Sequence, residues 1–185
     1  MHKKAKYKIC SIDGFHARAL QMPYAGDRIS MIFILPDNND GLPKLEEQLN
    51  AVQFDIDGGR MSRIQWFDEE RDVKVGVPKF KIESTHDLED PLKKIGLEHM
   101  FDANKADFSG MTGNKDLYVS KVIQKAFIEV NEEGAEASAA AGAAMAAKGF
   151  KSDPLFICDH PFLFMIQDNL TGMILFAGKV TNPRM

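Results

Sequence analysis

At 185 residues the chain is long enough to fold as one domain with a sizeable core. Its hydrophobic share of 44% and charged share of 27% are ordinary for a globular protein. The net charge of −4 and the lack of a basic block argue against nucleic acid as a partner, and two cysteines are too few for a disulfide framework.

The N-terminal region is rich in lysine but does not read as a signal peptide, because His2, Lys3, Lys4, Lys6 and Lys8 precede no apolar core segment. The longest apolar runs are too short to span a membrane, so we expect no membrane partner. Cys10 and Cys158 could pair or could be two free buried thiols, and the sequence leaves both alternatives open.

Residues 6–35 predict strands. The run 29–35 (ISMIFIL) is almost continuously apolar, which indicates a strand buried on both faces. Residues 25–27 (AGD) form a short turn consistent with a hairpin. Residues 37–41 predict a loop, and residues 43–49 predict a short helix with three leucines on one face: Leu42, Leu45 and Leu49.

Residues 73–83 alternate between apolar and other residues, but the phase slips at Pro78, which predicts one strand with a bulge or an edge position. Residues 86–95 predict a helix with Leu88, Leu92 and Ile95 on one face, ended by Gly96. Residues 101–110 read as a polar loop. Three later strands are predicted over residues 117–131, 157–166 and 173–180.

An alanine-rich segment, residues 132–149 (EEGAEASAAAGAAMAAKG), lies between two of these strands. Alanine favours a helix, but Met145 is the only large apolar side chain from Ala135 to Ala147, so no apolar stripe is present. A flexible linker is the second ordinary interpretation. The position of the segment between two apolar strands distinguishes it from an ordinary surface helix and from a flexible linker.

Three motifs in order resemble the serpins, the family of suicide inhibitors of proteases. Residues 131–140 (NEEGAEASAA) resemble the family's hinge, 156–166 (FICDHPFLFMI) its signature after the reactive loop, and 175–183 (LFAGKVTNP) its C-terminal strand and tail. The resemblance implies an α+β fold of three β-sheets with surrounding helices. Residues 1–185 would supply an incomplete, β-rich C-terminal half of a single domain, with the reactive loop at about 132–155.

An enzyme is the first alternative, and the sequence offers no motif for one. No G-x-S-x-G elbow occurs, and the histidines at positions 2, 16, 86, 99 and 160 lack metal-ligand spacing. The family resemblance implies a protein with no catalytic residue, no cofactor and no metal of its own.

Serpins offer an exposed loop to a protease, and the cleaved loop then inserts as a strand into the large sheet. The resemblance assigns the hinge to nine residues: Glu132, Glu133, Gly134, Ala135, Glu136, Ala137, Ser138, Ala139 and Ala140. Alternate residues of a strand point to opposite faces. Ala135, Ala137 and Ala139 would therefore point inward, while Glu136, the one charge from residue 135 to 147, would point outward.

Family spacing places the residue that donates the acyl group sixteen positions after Glu132. That position is Lys148, with Gly149 on the leaving side. A lysine fits the acidic specificity pocket of trypsin-like proteases. Phe150 and Lys151 are alternatives if the loop length departs from the norm, and alanine at 135 departs from the family's usual threonine or serine.

The resemblance implies a monomeric, secreted, extracellular inhibitor that forms a covalent acyl complex with a trypsin-like serine protease. Two alternatives stay open. One is a serpin-fold protein that does not inhibit and serves in transport, storage or folding assistance. The other is an inactive truncated product, because the strand beside which the loop inserts belongs to the absent half. Asn169-Leu170-Thr171 is a sequon, which leaves N-glycosylation of Asn169 open.

Overall fold

The computed structural model describes residues 2–12, 14–51, 70–131 and 153–183. Contacts divide the chain into two compact units, one of Met1–Phe80 with Val130–Met185 and one of Lys81–Glu129. The described chain is rich in β-strands and has few, short helices. Its strands are β1 (His2–Ile12), β2 (Ala17–Pro23), β3 (Ile29–Pro36), β4 (Glu70–Gly76), β5 (Phe80–Asp87), β6 (Ile123–Val130), β7 (Leu155–Ile157), β8 (Phe162–Asp168) and β9 (Ile174–Val180).

Seven strands form one sheet in the order β7-β4-β1-β2-β3-β8-β9. Neighbours pair antiparallel, except for β4 and β7, which pair parallel. The second sheet has two strands, β5 and β6. The described part of the chain therefore contains one large sheet and one pair of strands.

The predicted hairpin at residues 25–27 is confirmed. Gly26 (φ 87°) and Asp27 (φ 54°) take left-handed conformations in the turn, and the Tyr24 N–H donates to the Ile29 carbonyl at 2.9 Å. β3 follows between β2 and β8, and seven of its eight residues are buried. The continuous apolar run thus became a central strand covered on both faces, as predicted.

Helix α1 (Leu42–Ala51) contains the predicted short helix and packs over this sheet. Leu45 is almost fully buried against a cluster that includes Ala19, Ile32 and Ile34 of the central strands. The spacing of the leucines puts one apolar stripe against the sheet, which is how a short helix of moderate propensity is held.

The prediction of one bulged strand over residues 73–83 is wrong. β4 ends at Gly76 and β5 begins at Phe80, and the two strands belong to different sheets. Pro78 lies in the link between them, where its missing N–H and fixed φ end the first ladder. The predicted strand 157–166 divides in the same way, into β7 and β8, at a link that contains Pro161.

The smaller unit contains most of β5 and β6, helix α2 (Glu89–Lys94), a 3₁₀ turn (His99–Phe101) and helix α3 (Ser109–Thr112). The helix predicted over 86–95 is shorter than expected because His86 and Asp87 still belong to β5. Gly96 ends it as predicted, with φ 95°. Ile95, expected on a packed face, is 73% exposed.

Candidate functional site

The predicted hinge and reactive bond lie outside the described residues. These positions are Glu132, Glu133, Gly134, Ala135, Glu136, Ala137, Ser138, Ala139, Ala140, Lys148 and Gly149. The structure instead describes the chain that enters this segment, up to Asn131, and the chain that leaves it, from Asp153 onward. The candidate site is therefore built from these two ends.

The entering end is β6, which stops at Val130, directly before the hinge. Within the described residues β6 pairs with β5 alone, so the backbone groups of its other edge are available to a further strand. Its side chains leave apolar surface open as well, since Ile123 and Phe127 are both exposed. Lys81 places its ammonium 5.1 Å from the centroid of the Phe127 ring.

The leaving end is β7, a strand of only three residues that pairs parallel with β4 at the border of the seven-stranded sheet. The Lys74 N–H donates to the Pro154 carbonyl at 3.0 Å, and the Cys158 N–H donates to the Gly76 carbonyl at 2.8 Å. Phe156, the middle residue of β7, is fully buried. The chain is thus fixed within a few residues of the segment that the structure does not describe.

Arg18 of β2 holds this end from a distant part of the sequence. Its Nη1 donates to the Leu155 carbonyl at 2.9 Å, its Nε lies 3.4 Å from Asp37 Oδ1, and its Cζ lies 5.8 Å from the centroid of the Phe156 ring. Sequence reasoning missed Arg18. No local pattern marks it, because its partner in β7 is 137 positions away.

Lys4 makes the second contact, with its Nζ 2.8 Å from Asp153 Oδ2. The hydrogen bond from Lys4 lowers the pKa of the Asp153 carboxyl below its ordinary value. The sequence considered by itself drew attention to the lysines near the N-terminus only in the search for a signal peptide, so this contact was not anticipated.

His160 has a structural role. Its Nδ1 lies 2.7 Å from Asp159 Oδ1, and its Nε2 lies 2.7 Å from the carbonyl oxygen of Pro36. The imidazole thereby ties the segment between β7 and β8 to the end of β3. In the part of the chain that the structure describes, no group of three or more potential metal ligands occurs.

The two cysteines are free thiols rather than a disulfide. Cys158 is fully buried, and burial raises the pKa of its thiol to about 12, with the charge of Asp159 acting in the same direction. A thiol of this kind is inert as a nucleophile.

The side chain of Asn169, in the predicted sequon, makes hydrogen bonds to three neighbouring residues although Asn169 is exposed. Its Nδ2 donates to the Asp27 carbonyl at 2.6 Å and to Ser30 Oγ at 2.8 Å, and its Oδ1 accepts from Gln21 Nε2 at 3.0 Å. A glycan would replace one of the two hydrogens on that nitrogen and so break one of the donated bonds, which favours an unmodified Asn169.

Helices of the described chain are all too short or too polar to cross a membrane.

Comparison with known proteins gives one consistent family. Residues 1–183 match the family model described as Serpin, serine protease inhibitor. Leukocyte elastase inhibitor of Homo sapiens is 37% identical over 191 residues, which are 99% of this chain and 48% of the relative. Serpin B3 of Homo sapiens is 42% identical over 188 residues, which are 99% of this chain and 46% of that protein. The chain thus spans about half the length of the curated relatives it matches.

Solved structures agree. Serpin48 of the insect Tenebrio molitor superposes with a TM-score of 0.76 at 35% identity, over 100% of this chain and 46% of that one. Uncleaved ovalbumin superposes with a TM-score of 0.74 at 28% identity, over 99% of this chain and 44% of that one.

The relatives overturn the expected extracellular, secreted location. Leukocyte elastase inhibitors and serpin B proteins of several mammals match the chain at 37–42% identity, and they are intracellular serpins. The expectation, which was inferred from the resemblance to the family as a whole, is wrong.

Because the family model covers residues 1–183 and the described strands and sheets superpose on solved serpins, the chain belongs to the serpin family.

Proposed function

We propose that this chain is the loop-bearing part of a serine protease inhibitor that acts by suicide cleavage. A protease cuts the loop and is held as an acyl ester while the loop inserts beside β6, so the pair β5 and β6, rather than the seven-stranded sheet, would belong to the sheet that accepts the loop. One observation carries the proposal: β6, a strand with one edge open among the described residues, ends directly before the predicted hinge, in which the alternate residues Ala135, Ala137 and Ala139 are all small. The names of its relatives, which include an elastase inhibitor, support the same class.

The driving force for insertion is ample. Each added ladder hydrogen bond contributes roughly 0.5–1.5 kcal/mol net, so a dozen contribute on the order of 10 kcal/mol. That is comparable to the whole stability of a domain.

Speed is the stricter requirement, because insertion must finish before the acyl ester is hydrolysed. Small inward side chains avoid the 1–3 kcal/mol that overpacking typically costs. Glu136 would lie on the outward face, where its carboxylate stays hydrated. A flexible linker would not need to place its small residues and its charged residue at alternate positions.

Lys148 is the proposed acyl donor, with Gly149 on the leaving side, which favours a trypsin-like partner in a covalent acyl complex. The relative named for leukocyte elastase raises a competing specificity. Elastase has a small specificity pocket, and Ala146 and Ala147 directly precede Lys148. The two specificities predict cuts at neighbouring but different bonds.

An inactive fragment is the second candidate, and it is favoured by the finding that the chain spans about half of its relatives. The strand that would flank the inserted loop on its other side would then be missing. The inhibitor is therefore best tested in a completed chain, defined as residues 1–185 joined behind the N-terminal half of human serpin B3.

The test mixes the completed chain with trypsin and, separately, with elastase, followed by denaturing electrophoresis and N-terminal mapping of the released peptide. We expect a detergent-stable complex with trypsin and a new N-terminus at Gly149. Lys148→Ala should abolish the trypsin complex and leave the unfolding midpoint unchanged. A cut after Lys151 would show that the reactive bond is not Lys148–Gly149. A complex with elastase alone would overturn the trypsin-like specificity. The absence of a complex with either protease would contradict the proposed inhibitory function.

A further inference from the structure

We propose that Arg18 and Lys4 form a clamp that fixes where the reactive loop rejoins the seven-stranded sheet, and so act as positioning residues for the inhibitor. The functional consequence rests on the proposed function. The structural clamp itself rests only on the contacts of β7 with β4, Arg18 and Lys4.

The strand β7 needs such support. It has three residues, pairs with β4 in the described residues, and lies at the border of the sheet. Short border strands with few ladder bonds are the parts of a fold that open most readily. Leu155, its first residue, is largely exposed, so in this short strand the burial of Phe156 is not reinforced by its neighbour on the loop side.

Arg18 supplies a three-way contact at this weak end. Its guanidinium donates to the Leu155 carbonyl at 2.9 Å, lies near the Asp37 carboxylate, and stands over the ring of Phe156 at 5.8 Å. A hydrogen bond from a charged donor is about twice as strong as a neutral one. The planar fork of arginine can satisfy a carbonyl, a carboxylate and a ring face at once, which a lysine cannot do. Asp37 directly follows β3, so Arg18 connects β7 to a central strand of the sheet.

Lys4 adds a second point of attachment just before β7, through Asp153. Both groups are partly exposed, so this ion pair alone contributes little. Together the two contacts hold Asp153 and Leu155, on either side of Pro154, where the chain returns to the sheet.

A loop held at its return point has fewer conformations to lose when a protease docks on it, and association is slower when binding requires a conformational change. We therefore expect the clamp to affect the rate of complex formation. It should not affect the later competition between insertion and hydrolysis, which depends on the hinge.

The primary test is amide hydrogen exchange on the 185-residue chain, read at the Cys158 amide, which donates to Gly76 across the β7–β4 pair. Arg18→Ala should accelerate exchange there on the order of tenfold, while the Ile34 amide at the centre of the sheet stays as in the parent. Arg18→Lys should give a smaller increase. Asp153→Asn should give a few-fold increase and disturbs no buried group.

Arg28→Ala is the matched control. Arg28 also makes an arginine contact at the surface, with two nitrogens at 3.1 and 3.2 Å from Asp168 Oδ2, but this partner is the last residue of β8 and not part of β7. Cys158 exchange should be unchanged in this variant. Unchanged exchange in Arg18→Ala, or an equal rise in Arg28→Ala, would overturn the clamp. If Arg18→Ala does not fold, Arg18→Lys and Asp153→Asn decide by the same readout.

The functional readout uses the completed chain with trypsin. Arg18→Ala should slow complex formation roughly tenfold, while the fraction of inhibitor cleaved without trapping stays at the parent value. A rise in that fraction with an unchanged rate would reject the positioning role. If the parent itself forms no complex, the inhibitor proposal fails, but the exchange result still decides whether the clamp exists.

Discussion

Gly178 of β9 lies directly opposite Phe164 of β8. A Cβ atom at residue 178 would come within 2.5 Å of Phe164 Cζ, and the Phe164 ring is buried and packs against Phe80 at a centroid distance of 5.3 Å. The ring cannot move freely, so an added methyl group must strain the core. The glycine inside LFAGKV is therefore explained by a close approach, a usual reason for glycine in a strand.

We expect Gly178→Ala to lower the free energy of unfolding by about 1–3 kcal/mol, the usual cost of overpacking, measured by urea titration. Gly110→Ala is the control, because nothing lies within 4 Å of the added methyl group in α3. That variant should be neutral or slightly stabilising. Equal effects of the two substitutions would contradict the close packing at Phe164.

Thiol reactivity should separate the two cysteines. Cys158 is fully buried and burial raises its pKa to about 12, so at pH 8 almost none of it is thiolate, whereas Cys10 is only half-buried. Iodoacetamide should modify Cys10 in the folded chain and both cysteines in guanidinium chloride, as read by mass spectrometry. Rapid modification of Cys158 without denaturant would show that this part of the sheet opens far more readily than its burial indicates.

At the scale of single elements, the apolar runs in the sequence predicted which segments form strands but not where one strand ends and the next begins. The run 29–35 gave β3 and the turn at 25–27 gave a hairpin, because both signals are local. Residues 73–83 and 157–166 each looked like one strand but turned out to be two. Prolines at 78 and 161 mark both breaks, and the choice between a bulge and a change of partner strand depends on contacts far away in sequence.

The candidate site likewise has a part that could be predicted from the sequence and a part that could not. The hinge and the reactive bond come from the resemblance to the serpins, whose motifs and spacing are local features of the sequence, and they remain predictions. Arg18 could not be predicted, since its role arises from a contact across 137 positions.

The strand β9 gives a prediction of its own. It carries apolar residues on both faces but pairs with β8 alone in the described residues, and Ile174, Leu175 and Phe176 are all exposed. Exposed apolar edge strands favour association. We therefore expect the 185-residue chain by itself to associate at micromolar concentration, unlike the monomer expected for a whole inhibitor.

Phe176→Lys should reduce this association, followed by sedimentation velocity over a concentration series. Leu170→Lys should change it little, although Leu170 is 81% exposed, because it lies in the turn before β9. A parent chain that stays monomeric throughout would contradict the prediction.

At the scale of the whole molecule, the chain has the β-rich part of a serpin and spans about half the length of its relatives. The motifs near its C-terminus were sufficient to recognise the family, and the superposition on solved serpins confirms it. Location could not be read in this way, because the motifs are shared by secreted and intracellular members. The proposed function requires the cleaved loop to insert into a sheet, so the decisive measurement is one that reports whether insertion occurs.

The most direct measurement compares Ala137→Arg with Ser138→Arg in the completed chain exposed to trypsin. Residue 137 would enter the sheet facing inward, where an unpaired charge costs several kcal/mol, and each 1.36 kcal/mol slows insertion about tenfold. Residue 138 would face outward. We expect Ala137→Arg to be cleaved at Lys148–Gly149 and released without trapping trypsin, and Ser138→Arg to trap nearly as well as the parent. If Ala137→Arg traps trypsin as efficiently as the parent, the loop does not act by insertion.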